Sequence, residues 1–300
     1  MSKKERQKKE KKLINFSLLF SAVVILIEFL LSFASKSNTL LMDSVFDIAD
    51  LLLVGVLALI IPLIYGPITE KKPFGGAQIE SVFVIIKNGF LLLVTIYSII
   101  SNVKIILEGG RNDLDYNIIV LAEVLILIIS VLVYGMMSKV TTKELNTPVI
   151  KTEILTWKQN MFWTFGVGFT FFLQRFFGAF HIEFITPYLD PGIAVFLASF
   201  MIFEPVKLII SALKNILLIA PESKIFNEIK RIIDKEVKNT KFKVTFHEIV
   251  QTGRKLWIDV YFKSSDEDLN INELKNVKKQ TEEILKRKFE EIDIEFIPDI

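Results

Sequence analysis

The chain has no cysteine, and only two of its 300 residues are histidine, His181 and His247. Without cysteine there is no disulfide, no thiolate metal site and no cysteine nucleophile. Two histidines cannot build a multi-histidine zinc centre within one chain. No P-loop, His-Glu-x-x-His or Gly-x-Ser-x-Gly signature occurs either. Charge of one sign is also lacking: 36 Lys and Arg face 34 Asp and Glu, a formal net of +2. That balance, with no basic patch interleaved with aromatics, excludes a nucleic-acid partner. The sequence therefore supports neither an enzyme nor a resident cofactor.

What it has in abundance is apolar residues. Hydrophobic types make up 51% and mean hydropathy is +0.46, while the 23% charged residues crowd toward the two ends. A soluble chain disperses its apolar residues periodically. This one concentrates them in long runs, which makes it a membrane protein, with lipid as a partner, carrying a soluble tail.

A helix needs about 20 apolar residues to cross a hydrocarbon core of about 30 Å. Six windows qualify: Leu13–Phe33, Leu40–Ile64, Ile79–Leu107, Ile118–Met137, Leu155–Phe177 and Pro187–Ile210. The first is too long for a typical signal-peptide core and carries Glu28, so it is expected to be retained as a span. The connections Tyr65–Ala77 and Lys139–Lys151 hold Lys71, Lys72, Lys139, Lys143 and Lys151, whereas the opposite ones hold only Lys36 and Arg111. With the basic run before Leu13, this bias places both termini in the cytoplasm of a multi-pass protein of the cell membrane. Residues 1–12 are expected to be a solvated basic cytoplasmic tail and residues 13–220 a six-helix transmembrane domain.

Residues 221–300 change character. Ser223 can cap a helix with Phe226, Ile229, Ile232, Ile233 and Val237 on its apolar face. Phe242–Val250 and Leu256–Phe262 alternate like strands around Gln251-Thr252-Gly253-Arg254, a hairpin signal. Asn272 can cap a second helix, and Ile292–Ile297 reads as a last strand. The order α-β-β-α-β fits an α+β layer of about 80 residues.

Ionisable groups inside a span cost about 2.5–3.5 kcal/mol each and default to functional candidates. Asp43 and Asp47, in Leu40-Leu-Met-Asp-Ser-Val-Phe-Asp-Ile-Ala-Asp50, are one helical turn apart on one face. Two such carboxylates repel unless a bound divalent cation or a shared proton lies between them. Asp50 either extends that face or marks its edge. Glu28, Glu123 and Glu204 stand alone as packing or vestibule residues, and Lys207 is placed to pair with Glu204 at i+3.

The chain resembles the cation diffusion facilitator family of divalent-metal/proton antiporters. The resemblance rests on Leu-Leu-Met-Asp-Ser-x-x-Asp in span two and on Tyr-Gly-Pro…Pro-Phe-Gly-Gly-Ala-Gln-Ile-Glu-Ser over Tyr65–Ser81. Asp190-Pro191 at the start of span six, Ile219-Ala-Pro-Glu222, and His247-Glu248 with Trp257-Ile-Asp-Val260 complete it. It implies a homodimer, a cytoplasmic ferredoxin-like domain, and a transport site between spans two and five that exchanges a divalent cation for protons.

The departures bear on the ion. The span-five positions that the family fills with His or Asp fall on Thr156 and Asn160, anchored on Glu153. These are either neutral ligands or ordinary interhelical hydrogen-bonding groups. A metal site of Asp43, Asp47, Thr156 and Asn160 would be all oxygen, which favours a Mn- or Fe-type ion, or hard Mg or Ca, over zinc. Lys158 lies about 200° from Asn160 around the helix and faces away. The family's loop histidine is Gly76 here, and its interlocking lysine and acid are Gln78 and Leu217. In the tail only His247 matches a cytoplasmic ligand. It either joins Glu248, Asp259 and Glu295 around a weak ion or serves as a structural strand residue.

The function expected is divalent cation efflux by alternating access, without enzymatic chemistry. The alternative is a non-transporting or heteromeric regulatory relative with a degenerate site. Phe171, Phe172, Phe176 and Phe177 can line a dimer face or meet lipid.

Overall fold

Long apolar runs flanked by charge should fold as single helices, because lipid offers the backbone no hydrogen-bond partners. The computed structural model describes residues 3–35, 38–110, 116–141, 145, 147–179, 183–238, 240–264, 270–289 and 291–299. His181 lies outside these, as do the side chains of Asp43, Phe171, Phe172, Phe177 and Asp190. In chain order the helices are α1 (Lys3–Ser35), α2 (Asn38–Ile64), α3 (Ala77–Leu107), α4 (Tyr116–Val140) and α5 (Pro148–Ala179). They continue with α6 (Thr186–Met201), α7 (Phe203–Ile216), α8 (Ser223–Val237) and α9 (Ile271–Lys288). Strands β1 (Phe242–Thr252), β2 (Lys255–Ser264) and β3 (Glu291–Pro298) complete it.

Among the described residues, five helical stretches are long and apolar enough to cross a membrane: Lys4–Leu31, Asp47–Ile64, Ala77–Leu107, Glu123–Val140 and Thr186–Ile216. Their outward surface is apolar, with Leu52, Leu59, Leu93, Ile100 and Phe200 all exposed. Such a surface is a liability in water and ordinary against lipid. The remaining expected window, Leu155–Phe177, falls on α5, a continuous helix that is not among the five.

The chain divides into two compact units: residues 1–62 with 83–209, and residues 63–82 with 210–300. In the first unit the basic run expected as a solvated tail forms the opening turns of α1. Its Glu5/Lys9 and Arg6/Glu10 spacings support helix, and Arg6 and Glu10 are buried. The Thr147 hydroxyl reaches Glu10 at 3.3 Å. Val24, Ile126, Val133, Met137 and Trp157 form a packed core between α1, α4 and α5. The last spanning stretch is interrupted between α6 and α7. Pro205 has no N–H to offer the carbonyl of Met201, and the Gln159 Nε2 of α5 donates to that oxygen instead, at 3.1 Å. Asp190-Pro191 does not open this segment. Helix α6 begins at Thr186, with Pro187 in its first turn and Pro191 inside.

The second unit contains α8, β1, β2, α9 and β3, a sheet of order β1-β2-β3 with β1/β2 antiparallel and β2/β3 parallel. Strand alternation sends Ile258, Val260 and Phe262 to the face covered by the helices, where they pack with Ile229, Ile233, Leu285 and Phe296. Two caps differ from expectation. Ser223 is the first residue of α8, and Glu222 precedes it without a side-chain cap. The cap of α9 is Asn270, whose Oδ1 accepts from the Glu273 amide at 3.2 Å, rather than Asn272.

Within this same unit the β1–β2 turn meets the first turns of α3. Gly253 has φ +54°, and a Cβ there would stand 2.6 Å from the Ala77 carbonyl oxygen. That close approach seats Arg254 as a two-pronged donor to Glu80, Nε to Oε2 at 3.1 Å and Nη2 to Oε1 at 2.8 Å. Arg254 Nη1 donates to the Tyr65 hydroxyl at 2.7 Å, and Phe74 meets Trp257 edge-on at 5.3 Å. Gly76 is required for a related reason: a Cβ would lie 1.9 Å from the Leu63 carbonyl oxygen. No histidine can occupy that position with this backbone. The ionic interlock missing at Gln78 and Leu217 thus has a counterpart elsewhere, in Glu80 and Arg254. Truncating Arg254 to Ala leaves a fully buried carboxylate without its cation, and should destabilise the unit by about 3–5 kcal/mol. Thermal unfolding, together with faster hydrogen exchange in the β1–β2 turn, would check this.

Candidate functional site

The site expected from sequence draws on α2 and α5. Helix α2 is unbroken through Asp43 and Asp47, so the two residues share a face one turn apart. The Asp47 side chain is partly buried, and that of Asp43 lies outside the described residues. On α5, Thr156 and Asn160 are likewise one turn apart and partly buried. The Thr156 hydroxyl donates to the Thr152 carbonyl at 3.1 Å, which leaves its oxygen lone pairs available. The Thr164 hydroxyl donates to the Asn160 carbonyl at 2.9 Å and stands 3.5 Å from Asn160 Oδ1. Among the described residues, no group of three or more His, Asp or Glu is arranged to hold a metal ion.

One turn away the helices are joined by charge. Lys87 of α3, fully buried, donates to Glu153 Oε1 of α5 at 2.5 Å and to Asp50 Oδ2 of α2 at 3.2 Å. The other oxygen of Asp50 is also 3.2 Å from the ammonium. Glu153 is held further by the Ser17 hydroxyl of α1 at 3.0 Å, and Ser17 in turn accepts from Trp157 Nε1 at 2.7 Å. Beside this chain Asn88 donates to the Thr152 hydroxyl at 3.1 Å. Four helices thereby converge on one ammonium and two carboxylates. Asp50 is a partner of Lys87, and Glu153 is a participant rather than only a landmark for its neighbours. The signal for Lys87 was present in the sequence. A lysine deep inside the window Ile79–Leu107, unlike Lys104 near its end, meets the same rule that singles out intramembrane acids.

The other charged candidates separate. Glu204 pairs with Lys158 of α5 at 2.5 Å, not with Lys207. In the tail, His247 Nε2 lies 2.9 Å from Asp234 Oδ1 of α8, on the helix-covered face of the sheet. Glu248, Asp259 and Glu295 align across β1, β2 and β3 on the opposite face. Alternation along β1 thus divides His247 from the three acids, and the four do not form one site. Burial and the neighbouring Glu248 and Glu295 push the Asp259 carboxyl above the usual range.

A family model described as the cation efflux transmembrane domain matches residues 14–217. The chain belongs to the cation efflux family. No curated protein matches it. The match covers α2, α3 and α5, so the Lys87 cluster and the Asp47, Thr156 and Asn160 positions all lie within the family domain. Divalent cation efflux is the activity this membership supports, and members of the family are transporters rather than enzymes.

Burial pushes the His247 imidazole below its ordinary pKa, and the attraction of Asp234 offsets this only in part; Lys230 adds to the fall. The unfolded chain therefore binds the proton more readily. The stabilisation is complete above about pH 6.5 and is lost as pH falls through the lower folded-state value. The thermal midpoint of the purified protein should fall between pH 7.5 and 5.5 more steeply than that of a His247→Gln variant.

Proposed function

We propose that the chain exports a divalent cation from the cytoplasm in exchange for protons, by alternating access around oxygen donors of α2 and α5. The observation that carries this reading is that both Asp43/Asp47 and Thr156/Asn160 keep one-turn spacing on unbroken helices inside the cation efflux match. Asp43 and Asp47 supply two negative charges, and Thr156 and Asn160 supply neutral oxygens. A divalent ion there leaves the site formally uncharged. Carboxylate and neutral oxygen donors suit a Mn- or Fe-type ion better than zinc, which prefers nitrogen and sulfur. Carboxylates must be deprotonated to bind metal, so protons arriving from the far side would release it.

The same reading has six spans, with α5 the fifth and α6 with α7 a single interrupted sixth. Residues 13–220 form the membrane domain, and residues 1–12 and 221–300 are cytoplasmic. The αββαβ order and one helix-covered sheet face support a ferredoxin-like tail domain. A homodimer is the assembly this family membership favours.

Isothermal titration of the detergent-solubilised protein with Mn²⁺, Zn²⁺, Mg²⁺ and Ca²⁺, beside Asp47→Ala, tests the site. Heat with Mn²⁺ should exceed that with Zn²⁺ and vanish in the variant, and Mn²⁺ transport in proteoliposomes should vanish with it. Undiminished transport by folded Asp47→Ala would overturn the assignment. Absence of heat with every ion in folded wild-type protein would favour a non-transporting relative.

A further inference from the structure

The Lys87 cluster has a place along the transport path, and its asymmetry indicates what it does there. Asp50 follows Asp47 by three residues on α2, and Glu153 precedes Thr156 by three on α5. Both displacements run toward the ends of the helices joined to the lysine-bearing connections 65–77 and 139–151. In the orientation proposed above, those ends are cytoplasmic. Lys87 stands ten residues into α3, about 15 Å along its axis, with no solvent exposure. An ion coming from the cytoplasm meets Asp50, Lys87 and Glu153 before it meets Asp47.

The cluster contains one positive and two negative groups, so with all three ionised it carries one uncompensated negative charge. A divalent cation can neutralise both carboxylates, whereas the ammonium neutralises one. Its two attachments are also unequal. Glu153 is fixed by Ser17 as well as by Lys87. Among the described residues Asp50 accepts a hydrogen bond from Lys87 alone, at the longer distance of 3.2 Å, with no second donor in the place that Ser17 takes at Glu153. The Lys87–Asp50 contact is therefore the side that opens.

We propose that the Lys87 ammonium is a resident cation of the transport path, bridging Asp50 and Glu153 on the cytoplasmic side of the α2/α5 site, and that the divalent substrate displaces it from Asp50 on its way to Asp47. This inference rests on the transport reading above. Lys87 is a positioning residue in this scheme: it holds α2 and α5 together in the absence of substrate and competes with substrate for their carboxylates.

Mn²⁺ uptake into proteoliposomes, compared for wild type, Lys87→Met and Lys87→Met/Asp50→Asn, separates this role from a structural one. Removing the competing ammonium should lower KM about tenfold and slow turnover, because Mn²⁺ stays on Asp50 and Glu153. Adding Asp50→Asn should return KM toward wild type. A folded Lys87→Met protein with wild-type KM would overturn the proposal, since a purely structural lysine changes stability alone. If Lys87→Met does not fold, Lys87→Met/Glu153→Gln keeps the formal charge of the cluster and is expected to show the same fall in KM; a wild-type KM there overturns the proposal equally. In wild-type protein, pulse acetylation read by mass spectrometry should label Lys87 more strongly with Mn²⁺ present, and unchanged labelling would count against displacement. Asp47→Ala runs alongside. If it abolishes uptake while Lys87→Met behaves as wild type, only the lysine proposal fails; if Asp47→Ala transports normally, the reading beneath it fails too.

Discussion

An ammonium buried in the middle of a lipid-facing helix is tolerable only if the fold brings carboxylates to it, and this requirement organises the membrane part of the molecule. Lys87 has no solvent exposure, and an unpaired charge at such a depth costs several kcal/mol. Asp50 and Glu153 meet it from α2 and α5, and Ser17 with Trp157 extends the chain of donors to α1. Apolar faces alone would leave the rotation of each helix poorly defined, because lipid competes equally for them. The charge cluster removes that freedom. It sets which faces of α2 and α5 turn inward, and with them the rotational position of Asp47 and Thr156, each three residues from a clustered acid, and of Asn160, seven residues beyond Glu153.

Much of the architecture was legible because its signals are local. The long apolar windows recur as α1 to α7, and the hairpin centred on Gly253 appears where turn chemistry put it. The ends were less legible. Helix α1 begins ten residues before its apolar window, since alternating Lys and Glu at i, i+4 continue a helix that hydropathy cannot register. The cap of α9 fell on Asn270 rather than Asn272 because both are good caps, and only the chain leaving β2 decides between them. The break at Met201–Phe203 follows from Pro205, a single residue that a hydropathy window averages away.

The site was half legible. Helical spacing is enough to pair Asp43 with Asp47 and Thr156 with Asn160, but nothing in spacing joins Asp50 to a lysine 37 positions away or Glu153 to one 66 positions away. Lys87 is invisible to a rule that considers acids alone, and the family pattern places an interlock at the positions of Gln78 and Leu217. The pair that exists, Glu80 with Arg254, spans 174 residues. His247 illustrates the reverse case. Its sequence neighbours invite a metal site, and strand alternation alone sends it to Asp234 and the acids to the other face.

The two buried cation–carboxylate assemblies differ in a way that matches different duties. Arg254 offers a planar fork, is always protonated, and meets one carboxylate with two parallel bonds, so charge and geometry are both satisfied. Nothing is left over to exchange. Lys87 offers a point charge on a flexible stem to two carboxylates at unequal distances, so with all three groups ionised one negative charge is uncompensated. A fork closed on one acid suits a permanent fastening of the β1–β2 turn to the start of α3. A shared ammonium suits a place where one cation gives way to another. Both partners that α3 contributes, Glu80 and Lys87, are seven residues apart on a single helix, so the side-chain chemistry, rather than the element that carries it, divides fastening from exchange.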